Sequence, residues 1–176
     1  MGALRGSWIA THYTIAFPER VDRLALMCPI GIVSGLRPSW VFRALTTMSV
    51  RPTDRRVASL LDTMVMPTNR RLLRQEPWRP MMQQFASGAV GFKFSLSNAR
   101  PTRRRGDCDL RRLSSARIRV LAIVAKDESL YNGPTAATRF RQQLPEARIE
   151  FVNDANHMVM VDQTEIVEKL LADFFE

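Results

Sequence analysis

Three residues near the C-terminus are suited to proton transfer: Asp127, Glu128 and His157. A carboxylate beside an imidazole fixes the tautomer of the ring and stabilises its cation, leaving the other ring nitrogen as a general base. The chain has only two histidines, and the other, His12, falls inside a helical pattern where a packed or solvated ring is the ordinary role. Its two cysteines, Cys28 and Cys108, sit in no C-x-x-C pattern. With no metal-ligand spacing and no glycine-rich phosphate loop, no metal site and no cofactor are expected. Read alone, the three residues also fit a surface Asp-Glu pair and a histidine packed in a loop.

The elements that would position them follow from local patterning. Residues 118–124, IRVLAIV, are rich in β-branched side chains and read as a strand. Residues 148–152, RIEFV, read as another, with a helix over 134–143 between them and a last amphipathic helix over 164–175. Asp127 and Glu128 then lie just past one strand and His157 just past the next. In open α/β sheets, functional groups gather at these carboxyl ends. Near the N-terminus, residues 7–17 give a mostly apolar helix, and 23–28, RLALMC, an apolar run of buried-strand length. Helices are expected over 39–48, 54–65, about 68–75 and about 78–87, with Thr53 or Asp54 capping the second. Residues 97–109 read as loop, with Asp109 capping a short turn through Leu113. Alternating strands and helices predict an α/β fold with a parallel sheet. Three strands are few for such a sheet.

The stretch from VLAIVAKDESLYNGP to the C-terminal helix resembles the end of the α/β-hydrolase fold family, and so does GSWIATHYTIAFPERVDRLALMCPIGI near the start. In that family a G-x-x-D loop carries the triad acid, and Ala125-Lys126-Asp127-Glu128 matches it with Glu128 at the acid position. Asp127 is the alternative if the loop slips by one residue. Asn156-His157 stands where the family has Gly-His, which implies His157 as the catalytic histidine. The matching segments cover roughly half of the chain. The resemblance implies a partial α/β-hydrolase fold whose N-terminal strands, with one oxyanion-hole donor, are absent from the chain.

The nucleophile is the departure. Laying GSWIA on the family's GGWIA sets Gly2-Ala3-Leu4-Arg5-Gly6 against the elbow G-x-S-x-G and puts Leu4 at the serine position. Ser7 follows in the first helical turn, where a capping or first-turn role is expected rather than attack. The implied organisation is an elbow, helix and core strand over 1–33, a helical cap over 34–117 and a C-terminal core over 118–176. In the cap, Met48, Met64, Met66, Met81 and Met82 with Trp40, Trp78, Phe85 and Phe92 suit either an apolar lid or ordinary helix packing.

Charge bears on partners. Residues 37–117 hold 17 Lys/Arg against 5 Asp/Glu, a net of +12, whereas the rest of the chain is net −3. A basic block can bind anions. Yet Arg103, Arg104, Arg105, Arg111 and Arg112 have little aromatic interleaving, so nucleic acid is not the expected partner. No apolar run reaches the roughly 18–20 residues that a membrane span needs. No signal peptide is evident, and a reduced cytoplasmic setting is expected. The functional expectation is a serine-type hydrolase of carboxylic esters or related acyl compounds by descent, inactive as this chain alone. The alternatives are a non-enzymatic interaction module, self-associating or pairing with a missing N-terminal half, and an anion-binding basic surface.

Overall fold

The computed structural model describes residues 1–32, 34–49, 53–83 and 110–176. Four strands form one fully parallel sheet in chain order: β1 (Gly2–Ala3), β2 (Arg23–Met27), β3 (Arg119–Ala125) and β4 (Arg148–Val152). The expected three strands are all present. The fourth, β1, is two residues long and pairs Gly2 with Leu26 and Ala3 with Met27. Two residues carry no periodicity, so the strand pattern cannot announce it.

The apolar runs of β2 and β3 are buried on both faces. Leu24, Leu26, Val120 and Ala122 point into one core cluster, and Ala25, Met27, Leu121 and Ile123 into the other. The first side is covered by α1 (Arg5–Ala16), through Trp8, Ala10 and Ile15, and by α2 (Pro38–Ser49) and α3 (Asp54–Leu61) of the middle zone, residues 34–117. After the short helix α4 (Arg111–Ser115) and β3 comes α5 (Gly133–Gln143), which adds Ala136 and Phe140 to the same side. Past β4 come α6 (Val159–Asp162) and α7 (Thr164–Phe175). The second side is closed by α7 with Val167, Leu170, Leu171 and Phe174. Side chains alternate across a strand, so one continuous apolar run serves both layers.

Local chemistry sets the ends of these elements. Thr53 caps α3 by accepting the Arg56 N–H at 3.3 Å, as its residue type suggests. Asn132 caps α5 by accepting from Thr135 N–H at 2.9 Å, with Pro134 in the first turn. The helix expected over 54–65 stops at Leu61 and tightens to a 3₁₀ turn, Asp62–Met64, and residues Pro67–Arg74 are 3₁₀ rather than α. Residues 79–83 are helical, Trp78 lies in the turn before them, and the rest of the helix expected to about 87 lies outside the described residues, as do the 97–109 loop, Asp109 and Cys108. Residues 159–162, just past His157, form the short helix α6.

Candidate active site

The first component is the turn between β1 and α1. Leu4 has φ 54° and ψ −122°, the conformation of the first central residue of a type II′ turn, which glycine dominates. Holding a non-glycine residue there costs of order 1–3 kcal/mol and persists only where the surroundings over-determine it. Here the Leu4 N–H donates to Met27 O at 2.9 Å, and the Ser7 N–H donates to Leu4 O at 3.2 Å. Gly2 has no room for a side chain: a Cβ there would stand 2.5 Å from the Gly6 carbonyl oxygen and 2.8 Å from Ser7 Cα. A sharp, strained strand-to-helix turn is therefore present, with the alkyl side chain of Leu4 at its apex.

Ser7 is not at that apex. It is fully buried in the first turn of α1, and its Oγ lies 2.9 Å from its acceptor Gly2 O and 3.3 Å from Met27 O. The hydroxyl ties the helix back to β1 and β2, a first-turn structural role.

The second component is a buried acid–imidazole pair. His157 Nδ1 lies 2.8 Å from Glu128 Oε2, and both side chains are sealed from solvent. An ionised carboxylate only accepts, so Nδ1 carries the shared proton and Nε2 keeps the lone pair. Nε2 itself has no hydrogen-bond partner among the described residues. Glu128 is further fixed by accepting the Leu130 N–H at Oε1, 2.8 Å away. Asp127, the alternative acid, does not share the burial of this pair. It is exposed, and its backbone N–H donates to Ala155 O at 3.0 Å, turning its side chain toward solvent while Glu128 turns inward.

The loop carrying His157 is built by side chains that the sequence reading left unassigned. Asn156 Oδ1 accepts from His157 N–H at 2.7 Å and Ser129 N–H at 3.0 Å, and its Nδ2 donates to Thr63 O at 3.1 Å. The Asp162 carboxylate accepts from Asn156 N–H at 2.8 Å, Asn69 Nδ2 at 2.9 Å and Met66 N–H at 3.0 Å. These bonds join the acid loop, the histidine loop and residues 63–69 of the middle zone. Arg37 adds its backbone N–H to Leu130 O at 2.6 Å. Of the residues that suit a lid, Met64 is buried, and Trp40, Trp78, Met81 and Met82 pack partly buried against the main core. Phe85 and Phe92 lie outside the described residues.

Sequence spacing also missed Cys28. It follows β2 with φ 42°, is fully buried, and its N–H donates to Ile123 O at 2.8 Å. A ligand atom of Cys28, one of Glu128 and one of His157 all lie within 4.8 Å of one another. Burial pushes the Cys28 thiol well above its usual value, and the Glu128 charge adds to that. Tyr131, edge-on to His157 with ring centroids 6.0 Å apart, is also raised, by burial first and then by the charges of Cys28 and Glu128. The absence of metal-like spacing along the chain thus hid a cluster assembled from three strand ends. Gathering every titratable residue that follows a strand would have revealed it.

Of the basic block, Arg111 and Arg112 lie exposed on α4, and Arg103, Arg104 and Arg105 fall outside the described residues. Among the described residues no helix is long and apolar enough to cross a membrane.

No protein-family model matches the chain, and no curated protein sequence does. Solved structures do. The carboxylesterase CesB of Bacillus subtilis superposes with a TM-score of 0.72 at 20% identity, over 99% of this chain and 58% of its own. Naproxen esterase from the same organism gives 0.74 at 20% identity, over 99% and 58%. The meta-cleavage product hydrolase of Pseudomonas fluorescens gives 0.71 at 19% identity, over 99% and 62%. The chain has the α/β-hydrolase fold in part, and spans about three-fifths of the length of the solved structures it matches.

Proposed function

We propose that this chain derives from a serine-type hydrolase of carboxylic esters or related acyl substrates and that, alone, it does not hydrolyse them. The observation that carries the reading is the buried 2.8 Å pair of His157 and Glu128 at adjacent strand ends of a sheet whose first, strained strand-to-helix turn holds Leu4. The pair is a general base with its orienting acid, and the elbow lacks the atom that such a base would deprotonate. In this reading residues 34–117 are the cap over a small acyl substrate, Asp127 has no catalytic part, and the setting is cytoplasmic. The esterase and hydrolase names of the structural neighbours support the substrate class.

The test is turnover of a short p-nitrophenyl ester by the parent, His157→Ala, Leu4→Ser and Leu4→Ser/His157→Ala. The expected result is no turnover by the parent and histidine-dependent turnover by Leu4→Ser. Parent turnover that disappears in His157→Ala overturns the inactivity. Silence in all folded forms assigns the missing chemistry to the portion of the longer structures that this chain does not match.

A second reading, an interaction module, has its own observation. Ile9, Tyr13 and Phe17 lie exposed along one face of α1 and at its end, next to β1, which pairs only with β2 among the described residues. An apolar helix face beside an open strand edge favours association with a second polypeptide. Sedimentation of the parent against Tyr13→Glu distinguishes this: a self-associating parent that the substitution renders monomeric supports it, and a monomeric parent removes self-association.

A further inference from the structure

We propose that Cys28, Glu128 and His157 form a binding site for a thiophilic divalent cation of the zinc class. A thiolate, a carboxylate and an imidazole are the three ligand types such ions take, at about 2.0–2.3 Å from the metal. Ligand atoms around a tetrahedral ion at that range stand roughly 3.3–3.8 Å apart. The three side chains already lie within 4.8 Å of one another, so closing on an ion asks for movement of about 1 Å.

All three residues are already held in place. Cys28 N–H is held by Ile123 O, Glu128 Oε1 by Leu130 N–H, and His157 N–H by Asn156 Oδ1. Ligands oriented by a surrounding shell lose little freedom on binding. Glu128 keeps the Leu130 N–H on Oε1, and Oε2, which now accepts the Nδ1 proton, is the oxygen that turns to the ion.

Charge makes the same case. A thiolate, a carboxylate and a dication sum to zero, which suits a site with no access to water. Binding releases the thiol proton to solvent, and the neutral imidazole keeps its one proton on the nitrogen turned away from the ion. The ion would take the place at Nδ1 of the proton now shared with Glu128, and that proton moves to Nε2, which has no partner among the described residues. Three protein ligands leave the fourth tetrahedral position open.

The inference goes beyond the hydrolase reading and needs no nucleophile; a bound cation would instead divert the imidazole from general-base work. The probe is cobalt(II) alone, loaded by overnight dialysis of the full chain, with absorption recorded from the near ultraviolet to the visible. One equivalent should give a thiolate-to-cobalt charge-transfer band and the strong visible bands of tetrahedral coordination, both bleached by added zinc. Cys28→Ser should lose the charge-transfer band, Cys108→Ser should keep it, and His157→Ala should weaken binding about 100-fold or more. Circular dichroism confirms that each form is folded. If Cys28→Ser does not fold, Glu128→Gln with about tenfold or greater weakening carries the test. No charge-transfer band in the folded parent, or a band that follows Cys108 instead of Cys28, overturns the proposal. These readouts do not involve ester turnover, so the hydrolase reading stands or falls separately.

Discussion

Asn156 binds Ser129 across the two loops that carry the acid and the histidine: its Oδ1 accepts the Ser129 N–H at 3.0 Å. The same oxygen accepts the N–H of His157, and the Nδ2 of that side chain reaches Thr63. One amide thus holds the Glu128 loop, the His157 loop and the middle zone in register. The glycine that the hydrolase pattern has before its histidine would leave these donors without a partner. Asn156→Gly should therefore cost about 2–4 kcal/mol, the sum of a buried network left unsatisfied and a more flexible loop. Urea unfolding measures it, and a change below about 1 kcal/mol would show that water replaces the amide.

The two glycines flanking Leu4 should respond in opposite directions. Gly2→Ala places a methyl against the Gly6 carbonyl and Ser7 Cα, both backbone, so strand and helix must separate. A loss of about 2 kcal/mol or more is expected, the scale of overpacking. A Cβ on Gly6 meets nothing within 4 Å, and Gly6 lies in the first turns of α1. Gly6→Ala should raise stability by about 0.5–1 kcal/mol through helix propensity. Paired thermal melts read both signs at once.

The acid–imidazole pair should be energetically coupled. Glu128→Ala strips the buried Nδ1–H of His157 and the Leu130 N–H of their acceptor. A loss of about 3 kcal/mol is expected, as for breaking one side of a buried pair. Adding His157→Ala should cost less than it does alone, giving a coupling of about 1.5–3 kcal/mol in a double-mutant cycle. Additive losses would mean that the 2.8 Å contact contributes nothing beyond packing.

The raised thiol and phenol predict a loss of stability in alkali. Both groups are neutral when protonated, and the fold holds them protonated above their unfolded values, about 8.5 for cysteine and about 10 for tyrosine. From about pH 8.5 upward the unfolded chain binds fewer protons than the folded one, so stability falls as pH rises. The limiting slope is about 1.4 kcal/mol per pH unit for the thiol, with Tyr131 adding to it above about pH 10. Urea unfolding of EDTA-treated protein from pH 7 to 10 should show the decline, and Cys28→Ala should flatten it.

Much of the fold was legible because it rests on patterns of long range. The β-branched run of β3, the alternating RIEFV of β4 and the helix Thr164–Phe175 all fall within a residue of expectation. Glu128 and His157 were legible because each follows a strand in a loop of recognisable order. Ser7 was legible as a first-turn residue, but its bonds to Gly2 and Met27 were not. The two-residue β1 was not legible, since its existence depends on pairing with β2. Cys28 was missed because it is one residue at the end of an ordinary apolar run, and only the sheet brings it to His157. The middle zone resisted for another reason: 3₁₀ and α turns share nearly the same apolar spacing, so Pro67–Arg74 reads as either.

The sheet order has a kinetic consequence. Strands β3 and β4 pair Leu121 with Arg148 across a single helix, whereas β2 and β3 pair Arg23 with Arg119 across the entire middle zone. Closing the longer loop costs more chain entropy before any contact repays it. The β3–α5–β4 unit should therefore nucleate, with the His157 and Glu128 loops taking shape on it, while β2, Cys28 and the elbow dock late. On that order, hydrogen exchange during refolding should protect the Val124 and Val152 amides, which face each other's strands, before those of Ile123 and Leu26, which join β3 to β2. The acid and the histidine would then meet early, and the thiol would join them only as the last strand zips into place.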